Sequence, residues 1–235
     1  MCSSGSVYED LKELVYSNDG NKEKECQPFL KHAPKLLLGQ YMSMFDDINF
    51  TRFERETRLP SGDNDVLQGF SVRDDTGRTV NHLVVWEVKA PQYSPFRITT
   101  KNRAAPTPEL IEVENQLLHY FHDVKSNRAI KDDFEIVNED NIHIGGIIIG
   151  REDNLIAGGG QFQLTAERKL DLYRRAKGYR ERYFWNPNIN FKLWDSVLAN
   201  LSPAKHQEII KEGDPDAMTY SLIGEPEPAD GEPVA

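Results

Sequence analysis

Cysteine is almost missing from this 235-residue sequence: only Cys2 and Cys26 occur, which cannot form a spaced disulfide framework and fits a reducing, intracellular compartment. No apolar run approaches the roughly 18 residues of a membrane span, and the opening MCSSGSVYEDLKE lacks the basic-then-apolar order of a signal peptide. A soluble, cytoplasmic chain without a membrane partner is the expectation. Positive charge is in deficit, with a formal net charge of -10, so binding nucleic acid through bulk electrostatics is excluded while a local basic groove is not. There is no internal repeat. The one glycine-rich stretch, GREDNLIAGGGQ, has neither the Lys-Ser/Thr of a phosphate loop nor the spacing of a dinucleotide fingerprint, and reads as a flexible loop.

What is present suffices for a core, with 38% hydrophobic and 28% charged residues, and suits one domain with decorations or two small ones. Residues 6–17 carry helically spaced apolar positions and form an N-terminal helical arm within residues 1–21. Residues 22–38 carry a second helical pattern, divided by Pro34. The stretch DNDVLQGFSVRDDTGRTVNHLVVWEVKAP predicts two strands around the turn residues DDTG. Residues 107–124 predict a helix capped by Thr107 with Pro108 in its first turn. Residues 141–151 predict a buried strand, and 165–183 a basic helix with an interruption at Gly178. A short strand then leads into a helix at Asp195. Residues 222–235, rich in Pro, Gly and acid, predict a disordered tail. This order of elements indicates an α/β fold with a mixed β-sheet flanked by helices, occupying residues 22–205.

The chemistry concentrates in the hairpin. Side chains alternate along a strand, so Glu87 and Lys89 share one face of VVWEVKAP while Val84, Trp86 and Val88 take the other. A turn centred near residues 75 to 77 pairs Asp65 with Glu87 across an ideal antiparallel hairpin. Two carboxylates a few Å apart repel unless a divalent cation lies between them, and hard oxygen ligands suit Mg²⁺ or Mn²⁺. Lys89 beside them can orient or deprotonate a water and stabilise charge on a phosphate. Against this stands an ordinary edge-strand ion pair, since Glu-x-Lys recurs at Glu167 and Lys169 on a helix. The apolar setting, the acid at Asp65 and the helical pair Gln116 and Tyr120, four apart on one face, favour the site.

The order acid, Glu-x-Lys, then a helix with Gln-x-x-x-Tyr resembles the PD-(D/E)XK nuclease superfamily, whose core is restriction-endonuclease-like. More specifically, ECQPFLKHAPKLLLG, GGIIIGR and INFKLWDSVL are similar to the opening helix, the strand after the Gln-bearing helix and the closing strand-and-helix of the Shedu anti-phage defence family. The resemblance spans roughly residues 22 to 200. It implies a metal-dependent DNA endonuclease with Asp65, Glu87 and the Val88 carbonyl as ligands of Mg²⁺ (or Mn²⁺), Lys89 acting on the attacking water, and Gln116 and Tyr120 as support. The superfamily's proline before the first acid is replaced by Asn64, and Asp63 competes with Asp65 for that role.

Other cations are secondary candidates. The basic helix carries Arg174, Arg175 and Lys177, a run whose ordinary reading is a solvated face but which, beside a nuclease core, can track phosphates together with Arg151, Lys101 and Arg103. The expected partners are DNA and, as a homo-oligomer, further copies of the chain. A nuclease fold that binds nucleic acid or regulates without cutting is the competing reading, and an assembly role for the N-terminal helix a third.

Overall fold

The computed structural model describes residues 6–45, 47–99, 103–157, 164–185, 189–202, 204 and 206. Its centre is a five-stranded sheet in the order β1-β2-β3-β6-β8. The strands are β1 (Asn49–Leu59), β2 (Gly62–Arg73), β3 (Thr79–Val88), β6 (Ile142–Ile148) and β8 (Asn190–Lys192). The first three pair antiparallel, whereas β3 with β6 and β6 with β8 pair parallel. Parallel neighbours need a crossover, and α5 (Pro108–Ser126) supplies the one from β3 to β6. A second, three-stranded sheet has the order β5-β4-β7, formed by β4 (Phe96–Ile98), β5 (Ala104–Pro106) and β7 (Ile156–Ala157).

The main sheet is covered on both faces, which is why β2 and β3 read as nearly continuous buried strands. Odd-numbered residues of the hairpin, Leu67, Leu83 and Val85, join a core with Leu110, Val113 and Leu117 of α5. That core extends to Leu170 and Tyr173 of α7 (Ala166–Tyr183). Even-numbered residues, Val66, Phe70, Val84, Trp86 and Val88, join the opposite core. There they meet Leu11 and Val15 of α1 (Val7–Tyr16) and Trp194 and Val197 of α8 (Trp194–Leu201). The Trp86 indole packs against Gly145 of β6, in space that any Cβ there would occupy, and its Nε1 donates to the Leu37 carbonyl.

The 22–38 segment is broken more finely than one proline would break it. It runs as α2 (Glu23–Cys26), a 3-10 turn Gln27–His32 and α3 (Pro34–Leu37), followed by α4 (Gly39–Met42). At the other end α6 (Arg128–Asp133) follows α5. Thr107 caps α5 as expected, its hydroxyl accepting from the Leu110 amide.

Two expectations need correction. The helix α7 is continuous through Gly178, which faces open space; an exposed glycine costs a helix only about 1 kcal/mol, and burial of Leu170, Leu172, Tyr173 and Ala176 outweighs it. Strand β1 is absent from the hairpin reading because it shows no period. Its pairing with β2 shifts between Phe50 and Phe53, Glu56 has positive φ (50°), and five of its eleven residues are charged. Those charges protect the sheet's edge from pairing with another chain. The tail at 222–235, the GGG run at 158–160, Cys2 and Lys101 lie outside the described residues.

Candidate active site

The hairpin register is the one expected from the turn. Asp74 begins the turn, its carboxylate accepting from the amides of Thr76 and Arg78. The pairing Arg73 with Thr79 then propagates without slippage to Val66 with Trp86. One residue further, Asp65 and Glu87 face each other on the α5 side of the sheet. Both are buried, at 8% and 1% exposure.

Each acid is held differently. Asp65 Oδ2 accepts from the Val88 amide at 2.8 Å and Oδ1 from Gln27 Nε2 at 2.9 Å. Glu87 Oε1 accepts from Lys89 Nζ at 3.0 Å, while its Oε2 is buried with no donor. Burial raises the pKa of Glu87 well above its ordinary value; the adjacent Asp65 charge and a carboxyl–carboxyl hydrogen bond to it, which needs a proton on Glu87, raise it further, with Lys89 opposing. Asp65 is raised as well, by burial, against the pull of Lys89 and the Val88 amide. For Lys89 burial acts downward, but Glu87, Asp65 and Glu23 together outweigh it and hold the ammonium protonated.

Glu23 and Gln27 went unnoticed in the sequence. They sit on α2 and the 3-10 turn after it, a segment whose amphipathic pattern accounts for them as solvated positions. Yet Gln27 is 1% exposed and bonded to Asp65. Glu23, raised by burial, exchanges charge effects with Lys89 and Asp65 and is steadied by a backbone hydrogen bond at Ala90. A glutamate and a glutamine one helical turn apart, just before an apolar run, were the available signal.

From the other side comes α5. Tyr120 is buried against the hairpin, and its hydroxyl would lie 2.7 Å from a Cβ placed on Gly62, whose φ of +145° also disfavours one. Its pKa is raised by burial and then by the charges of Glu87 and Asp65. Gln116, one turn earlier, does not reach the acids: its Nε2 is 3.5 Å from Glu112 Oε1, and its Oε1 is buried without a partner. Asp63 shares the face of Asp65 but is exposed and pairs in register with Arg58, so Asp65 is the acid placed against Glu87. Val88 turns its side chain into the opposite core and contributes backbone only.

The secondary cations scatter. Arg151 is not on a phosphate-tracking surface: at 9% exposure it donates to the carbonyls of Val15 (2.8 Å) and Ser17 (3.5 Å), and to Asn18, clamping the end of α1. Lys177 is half-buried and paired with Glu181 at 3.1 Å. Arg174 and Arg175 are exposed, Arg175 bonded to Asp171 at 2.8 Å, and Arg103 is exposed beside the β4–β5 turn. No helix among the described residues is long and apolar enough to cross a membrane.

Glu-x-Lys beside a second acid, enclosed by α2 and α5, is the feature to set against known proteins. The family model for the C-terminal region of the Shedu protein SduA matches residues 20–180. The chain belongs to the Shedu family. Comparison with curated proteins yields no match. The matched span begins just before Glu23 and includes every acid and amide of the site; within this Shedu chain α1 and α8 lie outside it.

Among the described residues no three His, Cys, Asp or Glu side chains converge on one point as ligands. A cation here would therefore rest on the Asp65–Glu87 pair with backbone and water oxygens completing its shell, the usual manner of Mg²⁺. The fit is favourable on two counts: Glu87 Oε2 is a buried acceptor without a donor, and both acids are raised by burial even against the opposing charge of Lys89.

Proposed function

We propose that this Shedu chain is a divalent-metal-dependent DNA endonuclease with a PD-(D/E)XK core, acting in anti-phage defence. The observation that carries the reading is Glu87: a carboxyl group at 1% exposure with a lysine on one oxygen, no donor on the other and a second acid against it, so that without a cation the two acids can bond only by keeping a proton between them. A buried charge in that state is costly, and a dication relieves it. Family membership supplies the defence context.

In this reading Asp65, Glu87 and the Val88 carbonyl would hold Mg²⁺ or Mn²⁺, which when bound would supply positive charge against the phosphate and make water more acidic. Gln27 and the Val88 amide fix the orientation of Asp65, whose oxygens each keep a second lone pair for a ligand. Lys89, protonated through Glu87, Asp65 and Glu23, orients the attacking water and stabilises charge growing on the phosphate. Tyr120 closes the wall on the α5 side, and Gln116 offers an acceptor next to it. Arg103, Arg174 and Arg175, with Lys101, are the candidate DNA contacts. A homo-oligomer would bring such patches together on a chain of net charge -10; light scattering of the purified chain measures its mass directly.

The test is cleavage of plasmid and linear DNA by purified full-length protein in Mg²⁺ or Mn²⁺. Wild type cuts, and Glu87→Ala and Lys89→Ala do not. Equal cutting by both variants removes these residues from the reaction, and DNA retention without cutting in either metal points to a binding module instead.

A further inference from the structure

Along the outer side of α5, helix α5 and strands β4 and β5 line an open cleft of about 510 Å³. Arg97, Pro106, Ile111, Glu112, Asn115 and Gln116 line it. Gln116 in its lining lies one helical turn from Tyr120 of the site wall, so cleft and site share α5. Its volume falls in the range of small-ligand pockets, enough for one nucleotide.

The lining is selective. Arg97, on β4, is exposed and has no ion-pair or hydrogen-bond partner among the described residues. It is free to take a phosphate oxygen pair in its planar fork. Glu112 adds one negative charge to the wall, so a second phosphate is repelled and the remaining space suits a neutral group. That space has an apolar side, Pro106 and Ile111, the latter 45% exposed, suited to the flat face of a nucleobase. Its polar side holds the amides of Asn115 and Gln116 and the Glu112 carboxylate, a set of donors and acceptors that matches a base edge.

We infer that this cleft seats one unpaired nucleotide of the substrate strand. Its phosphate rests on Arg97, its base lies against Ile111 and Pro106, and its edge meets Asn115 and Gln116. The inference rests on the endonuclease reading and narrows its substrate: a base inside a duplex cannot enter, so the preferred DNA is single-stranded, gapped or frayed at an end.

The experiment is fluorescence anisotropy of the full-length chain with a labelled single-stranded oligonucleotide and with the blunt duplex of the same sequence. Ca²⁺ replaces Mg²⁺ so that nothing is cut. Wild type binds the single strand more tightly than the duplex. Arg97→Ala weakens single-strand binding by about tenfold and reduces the slope of log affinity against log salt by about 0.7. Arg97→Lys restores most of the loss, and Asn115→Ala narrows the gap between the two DNA forms. Arg128→Ala, an exposed arginine on α6, changes neither. Unaltered binding by Arg97→Ala, tighter binding of the blunt duplex, or no binding at all overturns the cleft. Cleavage by wild type with Arg97-independent binding defeats the cleft and spares the nuclease. Arg97-dependent binding by a wild type that never cuts in Mg²⁺ or Mn²⁺ does the reverse.

Discussion

Asp65 with Glu87 on one face of the main sheet, and Asp195 beneath α1 on the other, are buried alike at 8%, 1% and 2% exposure. Asp195 is complete: its Oδ1 accepts from the Tyr16 hydroxyl at 2.8 Å and its Oδ2 from the Glu152 amide at 2.7 Å. Burial raises its pKa to about 6, and both hydrogen bonds hold it down from going further. Glu87 has one oxygen satisfied and the other without a donor, and it can bond to the acid it faces, Asp65, only by keeping a proton. Burial is therefore a poor guide to which acid does chemistry. Hydrogen-bond completeness separates them: Asp195 ties α1 to α8, while Glu87 keeps an unmet demand that a cation can meet.

Substitutions can break this comparison. The largest effect is expected at Glu87→Gln, which should reduce metal-dependent cleavage by about 10³-fold or more and abolish the heat of Mg²⁺ binding in calorimetry. Without metal the same variant should unfold no lower than wild type, because it removes a carboxylate from beside Asp65. A large drop in thermal midpoint would make Glu87 a structural acid like Asp195. Asp195→Ala should do the opposite, costing about 2–4 kcal/mol in denaturant unfolding, since it strands the Tyr16 hydroxyl and the Glu152 amide, while Mg²⁺ binding persists. Arg151→Ala comes next, at about 1–3 kcal/mol, by leaving the Val15 carbonyl at the end of α1 without its donor; DNA affinity at matched salt should hold, and a loss there would return Arg151 to the DNA surface.

The smallest effect is a pH dependence. Asp195 is raised from 3.8 to about 6 and Glu152 from 4.5 to about 8, both mainly by burial. An acid whose folded pKa is raised contributes stability that is whole below its unfolded value and lost as pH rises through its folded value. The share of these two acids in the stability of the metal-free protein should therefore fall between about pH 4 and pH 8, against a rise from His143 and His206, both lowered by burial to about 4, so that the net loss in denaturant midpoint is concentrated above about pH 6.5. Asp65 and Glu87 are raised in the same direction, so Mg²⁺ should recover their share of that loss and leave the share of Asp195 and Glu152. A Mg²⁺ effect of equal size at both ends of the range would uncouple the cation from these acids.

Much of the hairpin was legible because its information is local. The side chain of Asp74 fixes the turn, and a period of two carries that register to Asp65 and Glu87. The same alternation sorted Trp86 and Val88 from Glu87 and Lys89. Strand β1 was illegible because its two irregularities cancel any period, and α2 because a helical pattern does not say what lies across from its polar residues. Gln27 meets Asp65 across 38 positions of chain, a distance no local rule spans. Arg151 misled for the same reason: a cation after a buried strand looks available until the packed end of α1 takes its donors.

By itself the sequence determined the hairpin and its register, the capped helix α5, the buried strand β6 and the approach of Asp65 to Glu87, all of which follow from turn chemistry and side-chain periodicity. Tertiary structure decided how each charge is spent. It left Glu87 Oε2 without a donor, completed Asp195, turned Arg151 inward and left Arg97 open on the cleft, because whether a polar group is satisfied depends on partners brought from distant parts of the chain.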